Sequence, residues 1–503
     1  MDKKTLLRCA AWLLAVCAIM PMAMSCGDDS EKKPTGTTAS KKETETIDEN
    51  DPYADRLAIS DDLGEYDFNK YEYRIVYTDR VDNMYDVSMR YVVDGESADI
   101  VETALYQRNR AIEERFNCRI RLVEGCDPFS MEPFDFINRQ VTSGDDMFDL
   151  AATQVIYTGM LVPEQLFLNW YDIPNINFDK PWWSDSNKEL LTYNDVCFAA
   201  IGDVSLNAMA ATYCVFYNKR LGADYDMPDM FEIVNDGAWT IDKITELSKD
   251  IYVDMNMDGK VDLESDLFGY VSDSGSNLNA YLWSFDNPIF SKENDELACV
   301  YETDKLDSLV AKLCDTFNIY RGIQQCGYSG SYVPWTFFSE GRALFMNSYI
   351  SIALAYLRDM QDDYSILPYP KWDEEQEEYY SMVDGLHHAL FVPTTVANLE
   401  AVGTITEALC AETYKKVFPV YYDTALKIKG TRDEESIKML DSIVASRVFD
   451  FGYIYDGFKG FSFILQNQVG RNNKNIASSV KRLRNSAFNW YDKILEAFEN
   501  YEG

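Results

Sequence analysis

The feature that most constrains this chain is a regular alternation of strand-like and helix-like segments between residues 71 and 154. Residues 71–79 form a β-rich run, and 118–123 alternate polar and apolar residues as a half-buried strand does. Residues 99–117 carry an apolar stripe at helical spacing, 129–143 indicate a second helix, and 148–154 a third strand. This order predicts right-handed crossovers and a mostly parallel sheet in an α/β fold.

Ligands of such sheets bind beyond the carboxyl ends of the strands. Residues 78–80 and 154–157 lie at the carboxyl ends of two of the predicted strands and are therefore expected at the edge of a cleft. Either segment would also serve as an ordinary turn between a strand and a helix, and the sequence leaves that alternative open.

Length and charge exclude several classes of function. A chain of 503 residues is too long for one ordinary core, so two or more lobes are expected. The 46 Lys and Arg against 84 Asp and Glu give a net charge of −38, which excludes nucleic-acid binding through bulk electrostatics. The only two histidines are His387 and His388, which excludes an all-histidine metal site.

The first 26 residues have the pattern of an export signal. Basic residues precede a 16-residue apolar run, residues 9–24, which is short for a spanning helix. Ser25 and Cys26 follow and resemble the end of a bacterial lipoprotein signal, which implies acylation of Cys26, although Ala23 and Met24 depart from the commoner pattern. Cleavage to a freely secreted protein is the alternative. Residues 27–66 are polar and without periodicity, which predicts a disordered N-terminal tether.

A series of motifs resembles the extracellular solute-binding proteins of ABC importers, the group that contains maltose-binding protein. The similarity lies in their order, from ALYQRNRAIEERFN and FDL through KPWW, GDVSLNAMAATYCVFYNKRL, DGAWTIDKITELSKDI and FFSEGRALFMNSYI. The resemblance implies a two-lobed, type II periplasmic-binding-protein-like α/β fold with a hinge. It implies a first lobe of 67–207 and 345–392 and a second lobe of 208–344 and 393–503, with the last motif as the return strand to the first lobe.

Aromatic content is the best indication of the ligand, because sugar rings stack their apolar faces on aromatic planes. The chain has 34 Tyr, 27 Phe and 9 Trp, and a neutral sugar tolerates an acidic protein better than an anion does. Candidate aromatic residues are Tyr157, Trp182, Trp183, Trp239, Trp283, Trp335 and Tyr349, and for each of them a place in the core or on the surface of a lobe is the alternative. The proposed ligand-binding set is Asp79, Tyr157, Trp283, Asn347, Tyr349 and His387, with a satisfied buried histidine as the alternative for His387.

One acidic loop has the spacing of a calcium-binding EF-hand loop. Oxygen ligands are expected from Asp254, Asn256, Asp258, the backbone of Lys260, and Asp262, around a glycine at the sixth position. The twelfth position, normally Glu, is Ser265. The sequence therefore predicts a structural calcium ion, with an empty acidic turn as the alternative.

Together these features predict a lipid-anchored substrate-binding protein on the extracellular side of the membrane. It would be a monomer without enzymatic activity that captures a carbohydrate and delivers it to an ABC-transporter permease. It would touch the membrane only through the anchor and would bind no nucleic acid. A secreted calcium-dependent glycoside hydrolase or a carbohydrate-binding surface module is the rival reading. Eight further cysteines form no CxxC pair, so a zinc or redox site is not expected.

Overall fold

The computed structural model describes residues 53–78, 90–126, 131–327, 332–427 and 434–502, all within a unit spanning Asp48–Gly503. Cys26 and Asp79 lie outside the described residues. The strands are β1 Tyr71–Thr78, β2 Cys118–Cys126, β3 Leu150–Gln154, β4 Tyr213–Asn218, β5 Tyr252–Val253, β6 Leu267–Asp273, β7 Phe290–Glu293, β8 Glu296–Cys299, β9 Ile323–Cys326, β10 Ala343–Tyr349, β11 Tyr364–Leu367, β12 Ser381–Met382, β13 His388–Phe391 and β14 Arg447–Val448.

Helices cover much of the remaining described chain. They are α1 Ala54–Ala58, α2 Ile100–Phe116, α3 Glu132–Thr142, α4 Val155–Thr158, α5 Ser186–Glu189, α6 Asn207–Ala210, α7 Lys219–Asp224, α8 Met230–Asn235, α9 Ile241–Ser248, α10 Ser276–Asn279, α11 Tyr281–Ser284, α12 Asp304–Ile319, α13 Pro334–Ser339, α14 Ile352–Ala355, α15 Leu399–Glu412, α16 Phe418–Lys427, α17 Glu434–Ala445, α18 Phe451–Ile454, α19 Ile464–Val469 and α20 Ile476–Glu499. None of these described helices combines the length and the apolar character needed to cross a membrane.

The first sheet has the order β13-β3-β1-β2. Strand β1 runs parallel to both neighbours, with Ile75 opposite Leu150 on β3, while β13 is antiparallel to β3. Helix α2 begins after Asp99, whose carboxylate accepts the backbone N–H groups of Val101 and Glu102. The strand and helix alternation predicted for residues 71–154 is therefore confirmed.

The second sheet has the order β11-β4-β10-β6-β5, with β9 beside β6. Strand β10 is antiparallel to β4 and parallel to β6, so it lies in the middle of this sheet. The expectation that this segment returns the chain to the first lobe at residue 345 is wrong. The return strand is β13, because it pairs with β3 of the first sheet.

The division at residue 393 assigned all of the C-terminal helices to the second lobe. The structure shows that some of them pack on the first lobe instead. Helix α15 packs on α2 and β1 of the first lobe, where the Thr406 hydroxyl lies 2.7 Å from the hydroxyl of Tyr73. Helix α20 contacts α12 of the second lobe near its start. Near its end, the carbonyl of Ala497 accepts a 2.8 Å hydrogen bond from Gln165 of the first lobe. The long helix therefore bridges the two lobes.

The described end of the predicted tether is ordered against the body. The Tyr53 hydroxyl donates to Asp423 at 3.2 Å, and Arg56 pairs with Asp441 at 3.0 Å. Asp61 pairs with Arg115 of α2. The boundary expected at residue 66 is therefore too late, because the segment from residue 53 onward gains side-chain partners that sequence composition does not reveal.

Two chain segments run side by side between the sheets. One precedes β4 and the other precedes β13, and Thr212 forms an antiparallel bridge with Val383. The amide of Asp384 donates to the carbonyl of Ala211 at 3.0 Å. These crossing segments connect the two lobes and bring the end of β3 close to the start of β4.

Candidate functional site

The candidate site lies where the crossing segment before β13 meets the carboxyl end of β3. The amide of Val155 donates to the carbonyl of His387 at 3.1 Å, which ties the end of β3 to this segment. The Asp384 carboxylate accepts a 2.6 Å hydrogen bond from the hydroxyl of Tyr213 at the start of β4. The Tyr213 ring lies 5.0 Å from that of Tyr349 at the end of β10. This chain of contacts joins both sheets at one place, which we call the junction.

Gly385 explains how closely the parts approach at the junction. A Cβ atom added there would lie 2.5 Å from the hydroxyl of Tyr453 and 2.7 Å from Cγ2 of Ile156. Such distances leave no room for a side chain, so only glycine fits between the first lobe and the C-terminal helical segment.

Several buried polar groups at and near the junction have no hydrogen-bond partner within the described part of the chain. They are both amide atoms of Gln154, the Asn277 carbonyl oxygen and His387 Nε2. The Asn347 amide lies beside the Tyr369 hydroxyl but makes no well-formed hydrogen bond with described residues. Buried polar groups are normally paired, so an unsatisfied set in one region indicates a place for a polar ligand.

The junction offers mostly neutral hydrogen-bonding groups. Burial lowers the pKa of His387 to about 4, so the imidazole is neutral near pH 7, with Nδ1 2.7 Å from the Asp384 carbonyl oxygen. Burial raises the pKa of Asp273, at the end of β6, to about 7, although its carboxylate accepts the amide of Gly275 at 2.7 Å. Amides, hydroxyls and a neutral imidazole suit an uncharged polar solute better than an ion.

The predicted ligand residues fall into different settings. Asn347, Tyr349 and His387 lie at the junction, and Tyr157 lies in the short helix directly after β3. Trp283 is 2% exposed, and its Nε1 donates to Asp450 at 2.9 Å. Its ring packs 4.9 Å from that of Tyr453, so the structure gives it the role of supporting Tyr453.

Sequence reasoning missed other residues of the junction. Gln154 was included only as part of a strand end, whereas Tyr213, Asp384 and Tyr453 were not selected. The only available signal was the position of Gln154 at the end of a predicted strand, because the other three residues come from distant parts of the chain.

Three of the candidate tryptophans belong to the core. The Nε1 atoms of Trp182 and Trp183 each donate to the carboxylate of Glu407 at 2.8 Å. Trp239 is fully buried and donates to the carbonyl of Pro368 at 2.8 Å. The ring of Trp335 stacks on Tyr356, with ring centroids 5.1 Å apart.

The predicted calcium loop folds as a series of side-chain to backbone hydrogen bonds. The Asp254 carboxylate accepts the amides of Asp258 at 3.2 Å and Gly259 at 2.8 Å. The fully buried Asp266 accepts from the amide of Asp262 at 2.8 Å, and so closes the loop where Ser265 offers no carboxylate. No group of three or more His, Cys, Asp or Glu residues in the described ranges is arranged to hold a metal ion. Besides the carboxylates of Asp254, Asp258 and Asp262, the predicted calcium ligands are the side-chain amide of Asn256 and the backbone carbonyl of Lys260. Calcium binding by this loop stays a prediction.

Seven cysteines of the described ranges have free thiols, and six of these seven are buried. Free thiols occur at Cys118, Cys197, Cys214, Cys299, Cys314, Cys326 and Cys410. Burial raises the pKa of Cys299 to about 11, which keeps that thiol protonated and unreactive near pH 7.

Comparison with known proteins supports the fold through structure alone, since no family model matches the sequence and no curated protein matches it. An ABC substrate-binding protein of Listeria monocytogenes in complex with cycloalternan has a TM-score of 0.54 at 12% identity, covering 84% of this chain and 99% of that chain. A cyclo/maltodextrin-binding protein complexed with maltotetraose has a TM-score of 0.52 at 11% identity, over 88% and 100%. Maltose-bound MalE3 of T. maritima has a TM-score of 0.51 at 13% identity, over 84% and 99%.

This chain therefore has the two-lobed periplasmic-binding-protein fold. The three structures are binding proteins rather than enzymes, and each chain is covered almost completely by this one. The predicted fold class is confirmed.

Proposed function

We propose that this protein captures a carbohydrate at the junction between its lobes and delivers it to an ABC-transporter permease. The observation that carries this proposal is the set of buried, unsatisfied and mostly neutral polar groups at and near the junction. Sugars offer many hydroxyl groups that donate and accept hydrogen bonds, and they carry no charge that the acidic body would repel.

The bound states of the structural neighbours support the same solute class. The three described above were solved with maltose, maltotetraose and cycloalternan. In this chain, Gln154 and Asn347 would bind the sugar hydroxyls, and Tyr349, on the same face of β10 as Asn347, would contact an apolar face of the ring. No covalent step is proposed, because the role of the site is to bind and release.

A thermal-shift screen of the full chain tests the proposal. Mono- and oligosaccharides should raise the melting temperature, whereas amino acids and peptides should not, because a ligand that binds only the folded state stabilises it. Calorimetry then gives the affinity. Stabilisation by amino acids or peptides alone would contradict the proposed solute class, and steady conversion of a bound sugar to product would favour a glycoside hydrolase.

We also propose that Cys26 is acylated and holds the protein on the extracellular side of the membrane as a monomer. The basic start, the apolar run and the polar segment after Cys26 support this location. Cys26→Ala should release the protein into the medium, while the matched change Cys118→Ala should leave it on the membrane. Retention of Cys26→Ala at the membrane would contradict lipid anchoring at this residue.

Calcium in the acidic loop is a further part of the proposal. The support is the order of the oxygen ligands Asp254, Asn256, Asp258, Lys260 and Asp262. Calcium at a free concentration 100 times its Kd would raise the free energy of unfolding by about 2.7 kcal/mol. A chelator should therefore lower the melting temperature, and Asp258→Ala should abolish that response while exposed Asp236→Ala preserves it. Identical melting curves with and without chelator would exclude the calcium site.

A further inference from the structure

Phe458 is the only Phe or Trp among the described residues whose side chain is mostly exposed, at 53%. Its ring lies 5.3 Å from that of Phe463, nearly parallel at 16°. The ring of Tyr157 lies 5.4 Å away on another side. We call these three rings, Tyr157, Phe458 and Phe463, the aromatic platform.

The backbone holds Phe458 in an unfavourable conformation. Its φ is +59°, in the left-handed region that residues other than glycine adopt rarely, and the preceding Gly457 has φ +55°. A Cβ atom at Gly457 would lie 2.6 Å from Met160, so this turn is pressed against the first lobe. Backbone strain of this kind persists where the surrounding structure enforces it, and it is concentrated at functional sites.

A buried carboxylate makes the turn rigid. Asp456 accepts the amide of Ser462 at 3.1 Å, and its carbonyl accepts the amide of Lys459 at 3.0 Å. The loop therefore presents the Phe458 ring to solvent in a fixed position, which reduces the entropy lost when a ligand stacks on it.

The aromatic platform is continuous with the junction. Tyr157 comes two residues after Val155, whose amide is bound to the carbonyl of His387. The Phe463 ring lies 6.1 Å from that of Tyr453, whose hydroxyl packs against Gly385. The rings thus lead from the buried polar groups outward to the exposed face of Phe458.

We infer that the aromatic platform is a second subsite, which binds a further sugar ring and makes the solute an oligosaccharide rather than a monosaccharide. One part of the solute would bind the buried polar groups of the junction. The next part would lie on Phe458 and Phe463, because the apolar face of a pyranose matches an exposed aromatic plane. This inference rests on the proposed function and extends it to the length of the solute.

Calorimetry with saccharides of graded length tests the inference. The probes are α- and β-linked oligomers of glucose, xylose and mannose with one to six residues, titrated into the full chain. Affinity should rise with length, and Phe458→Gly should remove that rise with a loss of roughly tenfold for the longest ligand. The shortest ligand should bind equally well to both proteins.

Three further variants separate binding from folding. Phe458→Gly should melt no lower than the parent, because glycine adopts the positive φ freely. Phe458→Trp should keep the preference for longer ligands, and Tyr225→Ala, at an exposed tyrosine of the second lobe, should change nothing. Sugars that bind with the same affinity at every length, or with unchanged affinity in Phe458→Gly, would overturn the second subsite while leaving the proposed function intact. If no saccharide binds, the proposed function fails, and the subsite fails with it.

Discussion

Two buried polar regions of this protein differ in how completely their groups are paired. In the first lobe, the Glu407 cluster consists of Glu407 with Trp182, Trp183 and the amide of Asn177, and both carboxylate oxygens accept hydrogen bonds. The junction amides, Gln154 and Asn347, are equally buried, yet neither makes a well-formed hydrogen bond with described residues. A paired group stabilises the fold, whereas an unpaired group costs stability unless a ligand supplies the partner.

The comparison teaches that burial alone does not distinguish structural from functional polar residues. Burial raises the pKa of Glu407 to about 7, a perturbation that on its own would make it a candidate for a functional site. Its hydrogen bonds instead identify it as the anchor of two tryptophans.

The largest expected effect is on the Glu407 cluster. Glu407→Ala would leave two indole N–H groups unpaired and create a cavity, so the free energy of unfolding should fall by about 3–5 kcal/mol. Chemical denaturation measures this loss. Glu400→Ala, at an exposed position of the same helix, should cost less than about 1 kcal/mol. Equal losses in the two variants would remove the distinction between the paired cluster and an ordinary surface acid.

Asn347→Ala should weaken solute binding rather than lower the free energy of unfolding. Solute affinity should fall by about 1–3 kcal/mol, roughly 5- to 150-fold, because a desolvated hydrogen bond to the solute is lost, while stability stays nearly unchanged. Calorimetry and thermal melting report the two quantities separately. The control is Asn218→Ala in the same sheet, where the side chain accepts the amide of Leu221 at 3.0 Å and donates to Asp362 at 2.9 Å. The control should lose stability, and unchanged affinity in Asn347→Ala would place the solute elsewhere.

The third prediction concerns the dependence of stability on pH, which Asp273 near the junction should influence. Burial raises the folded-state pKa of Asp273 from 3.8 to about 7, so the folded protein binds more protons than the unfolded chain between these values. Its contribution to stability is therefore full below pH 4 and is lost as pH rises to 7, with a slope of at most about 1.4 kcal/mol per pH unit. Asp273→Asn should flatten the dependence measured by denaturation at several pH values. Exposed Asp236→Asn should leave the curve unchanged, and an unaltered slope in Asp273→Asn would contradict the prediction.

The smallest expected effect is a gain in stability. Gln154→Met replaces a buried amide without described partners by an apolar side chain of similar length, so the ligand-free protein should gain about 1 kcal/mol while solute affinity falls. Thr153→Val is the matched control at the neighbouring position, since the Thr153 hydroxyl pairs with that of Thr158. This control should lose stability. A loss of stability in Gln154→Met would show that its amide has a partner after all.

Local patterns were sufficient for several parts of the fold. The period of apolar residues located β1, α2 and β3 within a few residues, because one face of each element must be buried. Thr240 caps α9 in the same local way, because its hydroxyl accepts the amide of Lys243, three residues further along the chain, at 3.2 Å. Such features depend on residues close together in the chain, and the amino-acid sequence alone determined them.

Only the tertiary structure decided which elements lie together. Every residue of β10 is buried, so its sequence has no polar face to indicate its neighbours, and its place between β4 and β6 follows from pairing across distant segments. The same holds for the junction and the aromatic platform. Gln154, Asn347 and Phe458 come from three separate regions of the chain. Whether each of these side chains is paired or exposed among the described residues depends on segments far away in the sequence. No local pattern records this, because hydrogen bonding and burial are set by contacts made over hundreds of residues.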